Sequence, residues 1–206
     1  MELQFGYWYF ENNFNKKFCD KIIKHALEKK QTIALTGQKE RKKMLKKDLK
    51  DLKKTRDSNV VWLEDQWIYD EIHPYVDSAN RNAKWNYHWD WSEKCQFTIY
   101  AEGQHYGWHK DMFAEPNQKP GNGYNKVRKL STTILLNDPS EYSGGEFEFY
   151  FNREGPHKKR KIIQVKELTS IGSMLVFPSF TWHRVKPVTK GVRYSLVIWH
   201  NGYPFI

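Results

Sequence analysis

The stretch Gln96-Phe-Thr-Ile-Tyr100-Ala-Glu-Gly103-Gln-His-Tyr106-Gly-Trp-His109-Lys-Asp111 runs from an apolar strand through a glycine turn into a His-x-Asp. On an extended backbone, residues two apart point to the same side. One short segment therefore offers a metal an imidazole nitrogen from His109 and a carboxylate oxygen from Asp111. A second histidine from a distant strand would complete a facial triad with positions left open. That arrangement suits non-haem Fe(II), which must also bind a co-substrate and oxygen.

A His-x-Asp alone says little. With eight His and ten Asp in 206 residues, about 0.4 matches arise by chance. The chain contains a second one, His88-Trp89-Asp90. It lies inside an aromatic run expected to be a strand, with no glycine near, where alternation places both side chains on a polar outer face. Context therefore favours His109 and Asp111. The third ligand is sought at the exit of a later strand. Gly172-Ser-Met-Leu-Val-Phe-Pro178-Ser-Phe-Thr-Trp-His183 is such a place: an apolar run, a proline stop, then a histidine. His157, in a Lys/Arg-rich loop, and His200, near the C-terminus, are expected to be solvated. His105 is expected to be structural or at a pocket rim. Ten residues after His183 comes Arg193-Tyr-Ser195 in an otherwise apolar strand. A charge there needs a partner, and an arginine fork beside a hydroxyl matches a carboxylate.

Around this centre the chain changes character once. Asn15–Lys30, Gln38–Arg56 and Glu64–Ala83 carry apolar residues at helical spacing, the last expected to break at His73-Pro74. The middle segment holds ten Lys/Arg and three acids and reads first as a solvated amphipathic helix, with a nucleic-acid or acidic-partner patch as the sharper alternative. From residue 84 onward, short aromatic and β-branched runs alternate with Gly, Pro and Asn: Trp85–Trp91, Cys95–Ala101, Ser131–Leu136, Gly145–Phe151, Lys161–Val165, Ser173–Phe177 and Val192–Trp199. Helices followed by about eight strands predict an α+β domain with a sandwich or jelly-roll sheet. Glu115–Lys129, rich in Pro, Gly and Asn, reads as a mobile loop placed to act as a lid, and Asn152–Arg160 as a basic hairpin tip. Two cysteines make no disulfide framework. No window approaches a membrane span, and the N-terminus lacks signal-peptide character. The expectation is one soluble, cytoplasmic domain over 1–206, with a helical support region (1–83) and a β core (84–206). The net charge of +10 keeps an acidic or nucleic-acid partner in view.

Three groups of residues together resemble the prolyl 4-hydroxylase-like family of 2-oxoglutarate/Fe(II) oxygenases, including its bacterial and phage relatives. They are Gln96-x3-Tyr100-x2-Gly103-Gln104-x-Tyr106-x2-His109-x-Asp111, Leu136-Asn137-x6-Gly144-Gly145-Glu146, and Phe177-Pro178-x4-His183-x9-Arg193-x-Ser195-x3-Trp199. The resemblance covers residues 56 to the end. It implies a double-stranded β-helix core, Fe(II) on His109, Asp111 and His183, and 2-oxoglutarate held by Arg193 with Tyr100 and Ser195. O2 and ascorbate come with the same family reading. It places Tyr106, Trp199 and Arg128, with Arg56 and Ser58, at the substrate groove. The implied reaction is hydroxylation of a C–H bond, first of a peptidyl proline, releasing succinate and CO2. Many peptidyl-prolyl members have Lys where this chain has Arg193, which keeps the anchor but weakens the proline assignment. The rival readings are hydroxylation or demethylation of a nucleic acid or small molecule, and a catalytically inactive jelly-roll binding module.

Overall fold

A computed structural model of the protein describes residues 3–34, 46–151 and 162–205. The expected basic tip Asn152–Arg160, His157 within it, and residues 38–45 of the lysine-rich segment lie outside these.

The larger sheet runs β1 (Trp8–Phe10), β12 (Met174–Pro178), β8 (Val127–Leu135), β15 (Arg193–Gly202), β6 (Cys95–Tyr100), β4 (Asn59–Leu63) and β2 (Thr32–Ile33), with β5 (Trp91–Ser92) also paired to β15. The smaller sheet runs β11 (Ile162–Gln164), β10 (Phe147–Tyr150), β13 (Trp182–Val185), β7 (His105–His109) and β3 (Arg56–Asp57). A short ribbon pairs β9 (Tyr142–Gly144) with β14 (Val188–Gly191). Among the described residues all strand pairings are antiparallel, as in the jelly roll expected.

Period-2 alternation sorts the larger sheet into two chemistries. On its outer side, Phe97, Ile99, Leu130, Ile134, Val176, Leu196 and Ile198 pack with Ile22 and Ala26 of α1 (Lys16–Leu27) and Ile68, Ile72 and Val76 of α3 (Gln66–Asn82). On its inner side lie the residues between them: Gln96, Thr98 and Tyr100 of β6, Ser131 and Thr133 of β8, Arg193 and Ser195 of β15. All are buried. A polar inner face requires partners, and this face looks toward the smaller sheet, whose Phe147, Phe149 and Val185 form a second apolar cluster with Leu175 and Phe177 of β12.

Several local expectations are corrected. Trp85–Trp91 is not a strand; only Trp91 enters β5. Lys84 and Asn86 adopt left-handed φ of 57° and 51°, and the Asn80 amide clamps the segment by donating to the Tyr87 carbonyl (2.8 Å) and accepting from its N–H (3.0 Å). Its backbone thus finds partners without a ladder. His88 and Asp90 are nevertheless exposed as expected. Helix α3 runs through Pro74 unbroken. Apolar anchors on both sides of the proline, Ile68 and Ile72 before it and Val76 and Ala79 after it, are fully buried and outweigh the lost backbone bond. Within the lysine-rich segment, α2 covers Lys46–Thr55 and Arg56 already belongs to β3. The support region is only partly helical: it donates β1 to β12 and β4 to β6. The loop expected over Glu115–Lys129 ends earlier, because Val127 and Arg128 pair with Gly202 and Asn201. Among the described residues, no helix is long and apolar enough to cross a membrane.

Candidate metal centre and its surroundings

Strands β7 and β13 pair so that His109 stands directly opposite His183. Two residues further along β13, Val185 faces Tyr106, three residues back on β7. The extra residue is a bulge. It keeps both Tyr106 and His109 on the inner face and turns Trp108 outward, where it meets Arg184 and Tyr150. Gly107, in the bulge, lets the end of α2 approach; a Cβ there would stand 3.1 Å from the Thr55 carbonyl oxygen.

Asp111 completes the cluster. Its Oδ1 lies 3.6 Å from His109 Nε2 and its Oδ2 lies 3.5 Å from His183 Nε2. Among the described residues these three are the one group of His, Cys or acidic side chains with ligand atoms all within 4.8 Å of one another. Each imidazole uses Nδ1 on a carbonyl two residues upstream: His109 on Gly107 (2.8 Å) and His183 on Thr181 (2.9 Å). Nδ1 must be the donor there, so each Nε2 presents a lone pair to the centre, the tautomer a metal needs. Asp111 accepts from Ser131 Oγ at 2.7 Å, Ser131 and Ser179 share a hydrogen bond of 2.9 Å, and the Asp111 N–H donates to the Ser179 carbonyl. Burial, and then the neighbouring His109, push the His183 imidazole down to about 4. Burial alone would raise the Asp111 carboxyl, but His183, His109 and Arg128 outweigh it and hold the carboxyl well below the usual carboxylate range. The site thus gathers two imidazole Nε2 atoms and one carboxylate, a donor set that fits Fe(II).

Arg193 opens β15 on the inner face, directly opposite Tyr100 on β6, and is only 2% exposed. Its guanidinium carbon lies 5.8 Å from the Tyr100 ring, and its Nη1 is buried without a hydrogen-bond partner. Ser195, also buried, follows on the same face. Gly145, at φ +68°, is required beside this arginine: a Cβ would fall 2.9 Å from Arg193 Cδ. A buried cation with an unused fork nitrogen fits a carboxylate such as the distal one of 2-oxoglutarate.

The remaining expected residues gather at the same mouth. Tyr106 stacks on His109 with ring centroids 3.4 Å apart, and burial raises its phenol to about 12. Arg56 lies over the other partner of that stack, 4.4 Å from the Tyr106 centroid, and donates through Nε to Ser58 Oγ. Arg128 lies 3.7 Å from the Trp199 ring and donates to the Asp111 carbonyl, while Glu93 takes both its Nε and Nη2 at 2.6 Å. Its charge is therefore neutralised within the protein. Trp199 Nε1 is buried and unpartnered. His200, expected to be solvated, is fully buried. Its ring bridges Ser92 and Thr132 (2.8 and 3.0 Å), and burial, with His73 adding, depresses its pKa well below the ordinary value. His105 is partly buried and bonds the Lys54 carbonyl. Ser131, Ser179, Glu93 and the carbonyls of Gly107 and Thr181 carry no signal in the sequence, whereas the nearby Gly144-Gly145 pair belongs to a motif.

The comparisons agree with this geometry. The model of the 2OG-Fe(II) oxygenase superfamily matches residues 95–201, and the chain belongs to that superfamily. Within it, a PKHD-type hydroxylase of Acidovorax ebreus is 38% identical over 107 residues, covering 50% of this chain and 41% of that protein. One of Cupriavidus metallidurans is 34% identical over 103 residues, covering 50% and 40%. The chain thus spans well under half the length of these relatives. Two solved structures share the fold: a viral collagen prolyl hydroxylase from Paramecium Bursaria Chlorella virus-1 (TM-score 0.66, 18% identity, 97% of both chains) and a Pseudomonas putida prolyl-4-hydroxylase (TM-score 0.64, 16% identity, 97% and 94%). The core is a double-stranded β-helix.

Proposed function

We propose that residues 1–206 act as one 2-oxoglutarate-dependent Fe(II) oxygenase domain that hydroxylates a peptidyl proline. The observation that carries this reading is the pairing of a buried His109–Asp111–His183 cluster with Arg193, whose Nη1 lies buried and without a partner among the described residues. His109 and His183, through Nε2, and Asp111, through its carboxylate, would hold the iron; Arg193, with Ser195 and Tyr100, would hold the far carboxylate of 2-oxoglutarate. When bound, iron and 2-oxoglutarate supply the power to activate O2 and insert one oxygen atom into a C–H bond, with succinate and CO2 released. The protein's own part is positioning and shielding. Ser131 and the two upstream carbonyls fix the ligands' orientation. Phe147 and Phe177 pack against the His183 ring and exclude water on that side. Tyr106, Trp199 and Arg128, with Arg56 and Ser58, form the wall a substrate would meet.

The names of the relatives and of the structures sharing the fold support a peptide as substrate. The test is succinate release from 2-oxoglutarate by anaerobically iron-loaded protein, with ascorbate present, with and without a proline-rich peptide. The expected result is peptide-stimulated succinate and a peptide mass gain of one oxygen. Iron uptake without any succinate would leave only a binding module.

A further inference from the structure

A second cluster of reactive side chains lies on the opposite face of the larger sheet from Asp111. Side chains alternate along β8, so Ser131 meets Asp111 while Thr132 turns to the helical side. There Ser92 of β5 stands directly opposite His200 of β15. Its Oγ lies 2.8 Å from His200 Nδ1 and 3.0 Å from Nε2 of His73 on α3, and His200 Nε2 lies 3.0 Å from Thr132 Oγ1. The Trp89 ring packs against both imidazoles, with centroids 5.0 Å from His73 and 4.9 Å from His200. His200 and Thr132 are fully buried. His73 and Ser92 are half-buried and, with Tyr69, Trp89 and Trp91, line an open cavity of about 450 Å³. A cavity of that size accommodates a small molecule.

Hydrogen-bond satisfaction fixes where each proton sits. The Thr132 hydroxyl has no partner but His200 among the described residues. If it only accepted from the imidazole, its own proton would be buried without an acceptor, which is costly. It therefore donates to His200 Nε2. The ring, kept neutral by burial, then carries its one proton on Nδ1 and donates to Ser92 Oγ. With that oxygen accepting from His200, the Ser92 hydroxyl donates to His73 Nε2. Burial lowers the His73 pKa against the opposing charges of Asp77 and Asp70 on the same helix, so this ring is ready to accept a proton. A hydroxyl donated to a neutral imidazole, with a further group fixing its direction, is the arrangement of an activated nucleophile. We infer that Ser92 is a nucleophile served by His73 as general base, and that the cavity takes aryl esters of short carboxylic acids. The aryl ring lies against Trp89 and Trp91. Ser92 Oγ adds to the ester carbonyl carbon as its proton passes to His73 Nε2. The bond from that carbon to the aryl oxygen breaks, and the phenol leaves with the proton. Water, deprotonated by His73, then attacks the acyl-serine, and the carboxylic acid departs as Ser92 regains its proton. The reaction needs neither iron nor 2-oxoglutarate and is independent of the function proposed above.

The experiment uses the full chain, iron-loaded under nitrogen so that no oxygenation competes, and para-nitrophenyl acetate as the probe. Release of para-nitrophenol is followed by absorbance, and the acetylated residue is located by peptide mass mapping after rapid quenching. The expected result is an acetyl group on Ser92 together with continuing release of nitrophenol. Ser92→Ala is expected to lose both. His73→Gln is expected to slow acetylation of Ser92 by about 100-fold or more, the usual contribution of a positioned base. Its half-buried position makes it the variant that serves if Ser92→Ala does not fold. Acetylation confined to lysines or to other residues of the wild-type protein overturns the inference. So does acetylation of Ser92 at an unchanged rate in His73→Gln, or nitrophenol release in Ser92→Ala equal to that of wild type.

Discussion

Ser131→Ala removes one oxygen atom from the interior and leaves every proposed iron ligand in place. The hydroxyl donates at 2.7 Å to Asp111 Oδ2, the carboxylate oxygen facing His183, and also shares a hydrogen bond with Ser179. Asp111 is 6% exposed, so no bulk water substitutes for the lost donor. A hydrogen bond to a buried charged group contributes about 1.5–3 kcal/mol, which corresponds to roughly 10–100-fold in an equilibrium constant, the range seen when outer partners of metal ligands are removed. Anaerobic titration with Fe(II), followed calorimetrically, is expected to give a dissociation constant raised by that factor with stoichiometry unchanged at one. Circular dichroism monitors the fold, since Ser131 lies inside β8. An unchanged dissociation constant in a folded variant would refute the claim that this hydroxyl orients the carboxylate, and would make Ser131 a packing residue only.

His183→Ala is expected to abolish stoichiometric iron uptake while preserving the β-rich circular dichroism spectrum; full uptake would remove His183 from the ligand set. Arg193→Ala is expected to raise the 2-oxoglutarate requirement by about two orders of magnitude, as befits loss of a bidentate charged pair, with Arg193→Lys intermediate; an unchanged requirement would move the anchor elsewhere. The depressed pKa of buried His200 gives a pH signature. Because the folded pKa lies below the unfolded value of about 6.5, the unfolded state binds the proton first. His200 therefore contributes its full stability above that pH, and the contribution is lost as pH falls toward the folded pKa. Urea unfolding of metal-free protein at pH 7.5 and 5.5 is expected to show a smaller acid loss in His200→Gln than in wild type; equal losses would show that His200 is not buried neutral.

The metal centre was legible in the sequence because its signals are local. His109 and Asp111 sit two apart at the end of an apolar strand, and His183 and Arg193 follow distinctive runs on later ones. What supports them was not legible, because it depends on register: nothing in the chain announces that Ser131 meets Asp111 across twenty residues or that Glu93 neutralises Arg128. His200 was misread for a related reason, since proximity to the C-terminus says nothing of burial when β15 is a central strand. Trp85–Trp91 had strand composition, but one asparagine side chain supplied its hydrogen bonds. Asn59–Leu63 carries Val60-Val61-Trp62, a run whose β character was available and was hidden behind the helical reading of its neighbours. Pro74 was overruled by four buried apolar residues flanking it.

The bulge in β7 ties the identity of the metal site to the register of two strands. Tyr106 and His109 share a face only because the two residues between them, Gly107 and Trp108, oppose the single residue Arg184 of β13. Ironing the bulge out of the unchanged chain would put the two residues three apart on a regular strand and send either the imidazole or the phenol to the outside, however faithfully every residue was kept. A substitution can weaken a ligand; a one-residue slip of register here exchanges the inside for the outside. Loss of the bulge between Tyr106 and His109 is thus the change this site tolerates least.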